Sequence, residues 1–367
     1  MILICFGNLK KIELGFFHRL TLAVIVRRYR KFIHGMIPDN KQDVVRQALQ
    51  TAFGVGEFEN IQQLTKGLSV ALVFKITIQG QLYLLRIITR TDAMADPTYY
   101  FGCMQNAAEA GIAPKIHYLN IEDRISITDF IIEKPFPISD ARKIMADTLR
   151  NLHSLPKFPF KINYIDASEN FVQKFKSSNI LSDNETKEIF ELYEQIGKVY
   201  PRNDQENLVS CHNDVKPDNI IFDGVKVWLI DWEAAFLNDR YVDLAAIANF
   251  VVKNEKDESY FLEKYFECLV DEYKKARFFL MSQIVHMFCF AICIMTGSGG
   301  KATELKKIEH ISFNDFHDRL WNCEISLASN EAKLQYALVH MEKLLYNMKT
   351  SRFKKSLKIV SDFHEST

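Results

Sequence analysis

Residues 211–221 read Cys-His-Asn-Asp-Val-Lys-Pro-Asp-Asn-Ile-Ile, and residues 227–233 read Val-Trp-Leu-Ile-Asp-Trp-Glu. Asp214 and Asn219 stand five positions apart ahead of a short predicted hairpin, and Asp231 ends that hairpin. Phosphoryl transfer needs a carboxylate that accepts a hydroxyl proton, and an amide oxygen and second carboxylate that bind Mg²⁺ against nucleotide phosphates. The spacing therefore predicts Asp214 as catalytic base and Asn219 and Asp231 as metal ligands.

Each of these residues alone would be ordinary in a loop, because Asp and Asn side chains readily bond nearby backbone in turns. Their combination with His212 and an intervening hairpin favours catalysis. We expect His212 to brace the loop with its ring rather than to transfer protons.

The composition is that of a folded globular chain. It has 367 residues, 46 Lys or Arg against 46 Asp or Glu, and 48% apolar residues, which suggests two domains or one two-lobed unit. With no net charge, nothing directs the chain toward nucleic acid. Seven cysteines without a C-x-x-C motif argue against a zinc ribbon and fit a reducing compartment, so we expect a cytoplasmic protein.

Two segments raise the question of a membrane. Residues 1–35 carry seven Lys or Arg against one Glu, a net charge of +6, so peripheral membrane contact by a basic helix is one interpretation. A packing arm, or a stretch ahead of a start at Met36, is the preferred alternative. Residues 278–295 are mostly apolar but contain Ser282, Gln283 and His286. Because polar groups in lipid are costly, we predict a buried helix there.

Two parts of different character are predicted along the chain. The first is rich in strands, and its predicted elements are a helix to Phe53, a hairpin of Ala71–Ile78 and Leu82–Ile88, a helix over 93–110 and a strand over Ile125–Ile132. The second is mostly helical around a small β island. The expected organisation is a basic extension over 1–35, a β-rich lobe over 36–133, a helical lobe over 134–349 and a basic, frayed tail over 350–367.

The motifs resemble those of the aminoglycoside phosphotransferase and choline kinase family. That family has an H-x-D-x-x-x-x-N loop and a strand ending in I-D-[WFY]-E, matched here by 212–219 and 230–233. The His212-Asn213-Asp214 sequence is most similar to bacterial choline and ethanolamine kinases. The resemblance, which covers about residues 60–250, implies an α+β, protein-kinase-like fold. Its N-lobe would be small and β-rich with one main helix, and its C-lobe larger and mostly helical.

The resemblance also implies further site residues. Gly67, Ser69 and Arg86 match the positions that contact nucleotide phosphates, and Asp243 matches a residue that braces the catalytic loop. Three departures stand out: Lys66 and Val70 replace a Gly and an Asn of the glycine loop, and Tyr99-Tyr100-Phe101 occupies the place of a Glu expected to pair with Arg86.

The function implied is an ATP- and Mg²⁺-dependent kinase acting on a hydroxyl of a small cationic metabolite. Choline is the first choice, followed by ethanolamine and thiamine. Glu233 either contacts the cation or lines the site wall, and Trp232, Tyr241 and Trp321 are candidates for an aromatic cage, although for Trp321 core packing is the preferred interpretation. Ring faces attract quaternary ammonium ions. An aminoglycoside-type or sugar kinase is an alternative. So is a pseudokinase that binds nucleotide or a partner without turnover. A protein kinase is disfavoured, because no H-R-D, D-F-G or A-P-E motif is present.

Overall fold

The computed structural model describes residues 36–64, 71–92 and 95–365. The basic extension and the glycine loop that contains Gly67 and Ser69 lie outside these ranges. The described strands are β1 (Asn60–Leu64), β2 (Ala71–Ile78), β3 (Gln81–Ile88), β4 (Ile116–Asn120), β5 (Ile125–Asp129), β6 (Leu208–Cys211), β7 (Ile220–Phe222), β8 (Val227–Leu229) and β9 (Phe236–Asp239). The described α-helices are α1 (Asp39–Phe53), α2 (Thr98–Glu109), α3 (Ile138–His153), α4 (Tyr164–Ser178), α5 (Asp183–Val199), α6 (Arg240–Val251), α7 (Glu255–Phe266), α8 (Glu272–Gly297), α9 (Phe313–Trp321), α10 (Asn330–Met348) and α11 (Ser351–Glu365).

The described chain forms two compact units. The first comprises residues 36–64, 71–90 and 117–130, and its five-stranded sheet has the order β1-β2-β3-β5-β4. β2 and β3 are antiparallel and joined by Gln79 and Gly80, which both have positive φ. Positive φ at both positions is the signature of a tight two-residue hairpin turn. The predicted hairpin is therefore confirmed.

The core of the first unit lies on one face of this sheet. Alternate residues of β2 and β3, among them Ile76, Leu85 and Ile87, are buried against Val45 and Leu49 of α1. This is the period-two pattern of a sheet that is buried on one side. The intervening side chains of these strands point to the opposite face.

The second unit comprises residues 91–92, 95–116 and 131–365 and is mostly helical. It includes α2, which the sequence assigned to the N-lobe. The Cys103 thiol of α2 contacts the Ala235 carbonyl oxygen at 3.7 Å, and the Leu229 N–H donates to the Ile112 carbonyl oxygen at 2.9 Å. These contacts explain why α2 groups with the second unit. The helix also begins later than predicted, after Pro97.

Helix α8 lies in the core of the second unit. It is the one described helix long and apolar enough to cross a membrane, and 67% of its most apolar 18-residue window is buried within the protein. Arg277 of this helix has no solvent exposure and pairs with Asp204 and Asp239 at 2.6 Å each. A fully buried and doubly paired arginine is typical of a core helix. The predicted buried helix over 278–295 is confirmed.

The C-terminal segment differs from the sequence prediction. Residues 351–365 form α11, where a frayed tail was expected. Phe353, Ser356 and Val360 of this helix are buried, and the Phe363 ring stacks on Tyr273 at 3.8 Å between ring centroids. Burial of these side chains holds the helix in place, so the expectation of a frayed tail is wrong for residues 351–365.

Candidate active site

Backbone pairing in the second unit brings the predicted metal ligands together. Residues 212–216 follow β6, and the 3-10 turn Pro217–Asn219 leads into the β7–β8 hairpin. The Ile230 N–H donates to the Asn219 carbonyl oxygen at 3.0 Å. Because Asp231 is the next residue, this bond places Asp231 beside Asn219.

Asp214 shares one carboxylate oxygen between two donors. Lys216 Nζ lies 2.7 Å from Asp214 Oδ2, and Asn219 Nδ2 donates to the same oxygen at 2.8 Å. Asn219 Nδ2 also donates to the Asp214 carbonyl oxygen at 2.9 Å. The amide nitrogen of Asn219 is thus committed to Asp214, and its Oδ1 is the atom it offers to other partners. Both donors contact Oδ2 of Asp214, so its Oδ1 is the carboxylate oxygen available to a substrate.

The fully buried carboxylate of Asp243 fixes the start of the loop. Its Oδ2 accepts the His212 N–H at 2.8 Å, and its Oδ1 accepts the Asn213 N–H at 2.7 Å. The ring of His153 lies 3.1 Å from the same Oδ2 and 2.7 Å from the Tyr265 hydroxyl. Asp243 therefore satisfies two main-chain donors immediately ahead of Asp214, which is the geometry of a brace.

His212 is also held in a structural position. Its side chain is fully buried, and its Nε2 donates to the Ile230 carbonyl oxygen at 2.9 Å. The ring packs against Trp232 at 4.8 Å between centroids. This histidine links the loop to Ile230, which follows β8 and precedes Asp231, and its donated proton is engaged with backbone.

Two residues of the site adopt left-handed backbone conformations. Asn213 has φ 62° and Asp231 has φ 63°. Such values are uncommon outside glycine, and Asn and Asp tolerate them best. The Asn213 side chain holds its turn by donating to the Ala234 carbonyl oxygen at 3.0 Å and accepting from Asn238 at 2.8 Å. The backbone on either side of Asp214 and at Asp231 is therefore locked by side-chain bonds and turn geometry.

Lys216 is a residue of the site that the sequence analysis missed. Burial alone would lower its pKa, but the carboxylates of Asp214, Asp231 and Asp218 together raise the pKa of the Lys216 ammonium above its usual value. It is thus a stable cation among three carboxylates. A single lysine in a polar loop carries no distinguishing signal, and only the folded loop shows its position.

One buried group beneath the loop has the composition of a metal site. Ligand atoms of His153, Cys211 and Asp243 lie within 4.8 Å of one another. However, both oxygens of Asp243 already accept hydrogen bonds, as described above. Burial holds the pKa of the Cys211 thiol well above its usual range, so the thiol stays protonated. Metal binding requires a thiolate, so this group is a hydrogen-bonded support for the loop.

Similarity to known proteins fits this geometry. Residues 60–279, more than half of the chain, match the APH family of phosphotransferase enzymes. The chain belongs to the phosphotransferase enzyme family. Protein LicA of Haemophilus influenzae is 23% identical to this phosphotransferase over 228 residues, which cover 58% of the chain and 83% of LicA.

Solved structures show the same fold. A choline/ethanolamine kinase family protein from Mesorhizobium loti has a TM-score of 0.63 at 16% identity, covering 88% of this chain and 99% of its own. Choline kinase LicA from Streptococcus pneumoniae has a TM-score of 0.54 at 15% identity, covering 84% and 99%. The phosphotransferase therefore has the predicted α+β, protein-kinase-like fold and is a small-molecule kinase; the predicted family and fold class are confirmed.

Of the three residues expected to contact nucleotide phosphates, the structure describes only Arg86. Gly67 and Ser69 are outside the described ranges. Arg86 lies on β3, opposite Val73 of β2 and Ser126 of β5. Because its neighbours on β3 face the α1 core, the Arg86 side chain lies on the other face of the sheet.

The aromatic cage expected from three rings of the phosphotransferase is not formed. Trp232 is buried against His212, and its indole N–H donates to a main-chain carbonyl oxygen. Tyr241 packs on Arg277 of α8. Trp321 donates to the Phe136 carbonyl oxygen at 2.8 Å. These rings fill separate parts of the core, whereas Glu233 is exposed. Sequence alone does not show where a large ring will be buried.

Other aromatic residues do lie near the loop. The pKa values of Tyr164, Cys289 and Tyr336 are raised mainly by burial, and the charge of Asp214 adds to the effect in all three. Tyr164 packs on Phe288 at 5.4 Å between ring centroids. We name Tyr164, Phe288 and Tyr336 the aromatic wall. It is built from α4, α8 and α10, and no motif predicts it.

The donor set near Asp214 suits a hard divalent cation. Magnesium prefers a few oxygen ligands completed by water and phosphate oxygens. Asn219 presents an amide oxygen because its nitrogen is committed. Asp231 lies beside Asn219 along the backbone, and its carboxylate is near enough for its charge to act on Lys216. These residues of the phosphotransferase therefore fit Mg²⁺.

Proposed function

We propose that this phosphotransferase transfers the γ-phosphoryl group of ATP to the hydroxyl of choline, with ethanolamine and thiamine as the next acceptors. The observation that carries the proposal is the convergence of Asp214, Asn219 and Asp231 on one braced loop and hairpin. Phosphoryl transfer depends on positioning and electrostatic stabilisation more than on covalent chemistry. A loop locked by Asp243 and His212 supplies that positioning.

The roles follow from which atoms are already engaged. Asp214 Oδ2 is occupied by Lys216 and Asn219, so Oδ1 is the atom that accepts the proton of the attacking hydroxyl. The acceptor oxygen forms a bond to the γ-phosphorus as the bond to the bridging oxygen of ADP breaks. Asn219 Oδ1 and Asp231 would hold Mg²⁺, which supplies charge neutralisation on the nucleotide phosphates. Gly67, Ser69 and Arg86 are the proposed phosphate contacts of the nucleotide.

Two considerations support choline as the acceptor. Two members of the aromatic wall, Tyr164 and Tyr336, lie close enough to Asp214 for its charge to act on their hydroxyls, and aromatic faces stabilise quaternary ammonium ions by about 0.5–2 kcal/mol. The second consideration is relatedness, since the chain is similar to Protein LicA, and the Streptococcus pneumoniae protein of that name is a choline kinase.

The test is ATP consumption measured with choline, ethanolamine, thiamine, an aminoglycoside and a generic protein as acceptors. We expect choline to stimulate turnover most, and Asp214→Asn to lower it by about 10²–10⁴-fold, the usual contribution of a general base. Asp183→Asn is the control, because Asp183 is an exposed carboxylate at the start of α5, outside the catalytic loop. If no acceptor stimulates turnover while nucleotide still raises the melting temperature, the kinase proposal fails and a pseudokinase is indicated.

A further inference from the structure

Three buried histidines lie together in the second unit and take no part in the phosphoryl transfer described above. They are His286 of α8, His317 of α9 and His340 of α10, and each is at most 3% exposed. The Nδ1 atoms of His286 and His340 lie 2.9 Å apart, so one ring donates a hydrogen bond to the other. This bond links α8 to α10 inside the core.

The histidine cluster is kept at an energetic cost. Among the described residues, His340 Nε2 and His317 Nε2 are buried without a hydrogen-bond partner, and an unsatisfied buried polar atom lowers stability. Burial holds the pKa values of His286 and His340 well below the usual value, so both rings are neutral at neutral pH. Apolar side chains would fill the same space without this cost. Departures of this kind are expected where a residue serves function.

The ring beside the histidine pair belongs to the aromatic wall. Tyr336 and His340 are four residues apart on α10, and their rings meet edge to face with centroids 4.3 Å apart. A hydrogen bond joins the Tyr336 hydroxyl to the thiol of Cys289 on α8. His286 and Cys289 are three residues apart and therefore lie on one face of α8. Helix α8 thus holds the hydroxyl of Tyr336 through Cys289 and its ring through the histidine pair.

Support from a directional bond matters for a ring that binds a cation. An aromatic ring attracts a cation over its face, within about 6 Å of the ring centroid, so the attraction depends on the angle of the ring. A hydrogen bond between two helices fixes that angle more narrowly than apolar packing does, because hydrogen bonds are directional. Histidine at position 340 supplies both this bond and a flat ring that packs against Tyr336.

We propose that His286 and His340 are positioning residues of the acceptor site: the hydrogen bond between them sets the ring angle at which Tyr336 contacts the quaternary ammonium of the acceptor. This inference rests on the proposed function, in which the aromatic wall binds choline. Both histidines act through Tyr336, so their loss should weaken acceptor binding and leave the chemistry at the γ-phosphorus as it is.

The experiment changes the hydrogen bond and leaves Tyr336 in place. His286→Phe keeps a ring but removes the bond, and His286→Asn puts an amide near the position of Nδ1. Gln283→Leu is the matched control. The buried side chain of Gln283 on α8 accepts a hydrogen bond from Asn347 at 3.0 Å. This is another bond between the same two helices, but near the C-terminal end of α10.

We expect His286→Phe to raise the KM for choline about five- to tenfold, as the loss of one contact between a cation and a ring would. Its kcat and its KM for ATP should stay within about twofold of the wild type. His286→Asn should restore most of the affinity for choline. Gln283→Leu should leave the KM for choline unchanged even where it lowers the melting temperature. If His286→Phe does not fold, His340→Phe breaks the same bond from α10.

A second measurement needs no acceptor. In protein labelled with 3-fluorotyrosine, the fluorine NMR signal of Tyr336 is the one that is lost in Tyr336→Phe. We expect His286→Phe to shift this signal and His286→Asn to return it toward the wild-type position.

Three results would overturn the inference. They are an unchanged fluorine signal in His286→Phe, an unchanged KM for choline in that variant, and an equal rise of this KM in Gln283→Leu. If no acceptor stimulates the wild-type chain, the proposed function fails. The fluorine signal still decides in that case whether the histidine pair positions Tyr336.

Discussion

Asn219 donates its amide nitrogen to both the side chain and the main chain of Asp214, at 2.8 and 2.9 Å. A single side chain thus orients the proposed base and, through its remaining oxygen, the proposed metal. One rotamer of Asn219 serves both roles, because the amide nitrogen faces Asp214 while the amide oxygen points away from it. The proton-accepting half and the nucleotide-holding half of the site are therefore coupled through one residue.

This coupling predicts a compound defect for Asn219→Ala. We expect kcat to fall by at least about 10²-fold, because a displacement of the reacting groups by about 1 Å can lower the rate that much. The Mg²⁺ concentration that gives half-maximal activity should also rise. The measurement is a Mg²⁺ titration of turnover at saturating ATP. Asn184→Ala, at an exposed position of α5, is the control. A variant with a lower kcat but an unaltered Mg²⁺ requirement would contradict the assignment of Asn219 as a metal ligand.

Asp243 should affect stability as well as activity. Asp243→Ala leaves the buried main-chain N–H groups of His212 and Asn213 without their acceptor, and each unsatisfied buried donor costs about 1–3 kcal/mol. We expect the free energy of unfolding to fall by roughly 2–5 kcal/mol in urea titrations. Asp243→Asn keeps one acceptor oxygen, so its loss should be smaller. Equal and small losses in the two variants would show that the brace is energetically unimportant.

Three buried histidines predict acid sensitivity. His286, His317 and His340 pack together, with ring centroids 5.0 and 5.2 Å from His340. Burial lowers the pKa of His317 to about 3 and those of His286 and His340 well below the usual value. The unfolded chain, with histidine pKa values near 6.5, therefore binds more protons than the folded chain below that pH.

Stability should accordingly be full above about pH 6.5 and fall as the pH drops toward 3, by up to about 1.4 kcal/mol per histidine per pH unit. Urea unfolding at pH 7.5, 6.5 and 5.5 measures this slope. His317→Phe removes one titrating group that is surrounded by aromatic rings, so it should reduce the change of unfolding free energy with pH. His310→Phe, at an exposed site, should leave that change as it is in the wild type. A slope identical in all three proteins would refute the attribution to this cluster.

The thiols should differ sharply in reactivity. Burial raises the pKa of Cys293 to about 12 and that of Cys289 further, whereas Cys268 and Cys323 are exposed. Because the thiolate is the reactive form, we expect iodoacetamide at pH 7.5 to label Cys268 and Cys323 first and Cys289 and Cys293 slowly. Peptide mass spectrometry over a time course measures the order. Cys289 is half-buried, so rapid labelling of Cys289 would contradict the raised pKa of its thiol.

The parts of the site that sequence predicts are those encoded locally. Asp214, Asn219 and Asp231 are separated by a short turn and a tight hairpin, so their spacing nearly determines their juxtaposition. Trp232, Tyr241 and Trp321 were candidates for one cage, with core packing preferred for Trp321, but packing with distant helices decides where a ring is buried. The aromatic wall was missed for the same reason, because its members come from three helices far apart in the chain.

Two further differences trace to signals of unequal strength. The C-terminal helix was missed although Phe353, Ser356 and Val360 recur at helical spacing, since the surrounding lysines dominate the composition. β1 was missed because Asn60–Leu64 has two glutamines where apolar residues would mark a strand. Pairing with β2 stabilises the strand in spite of its low intrinsic propensity.

The docked helix α11 has a consequence for variation in the gene. It places Phe353 and Val360 in the interior and pairs Lys355 with Glu272 and Arg352 with Glu258. A premature stop codon ahead of Ser351 would leave every catalytic candidate intact. It would nevertheless expose the apolar face of α8 against which α11 packs. Such a truncated protein should therefore be degraded in the cell rather than act as a shortened enzyme.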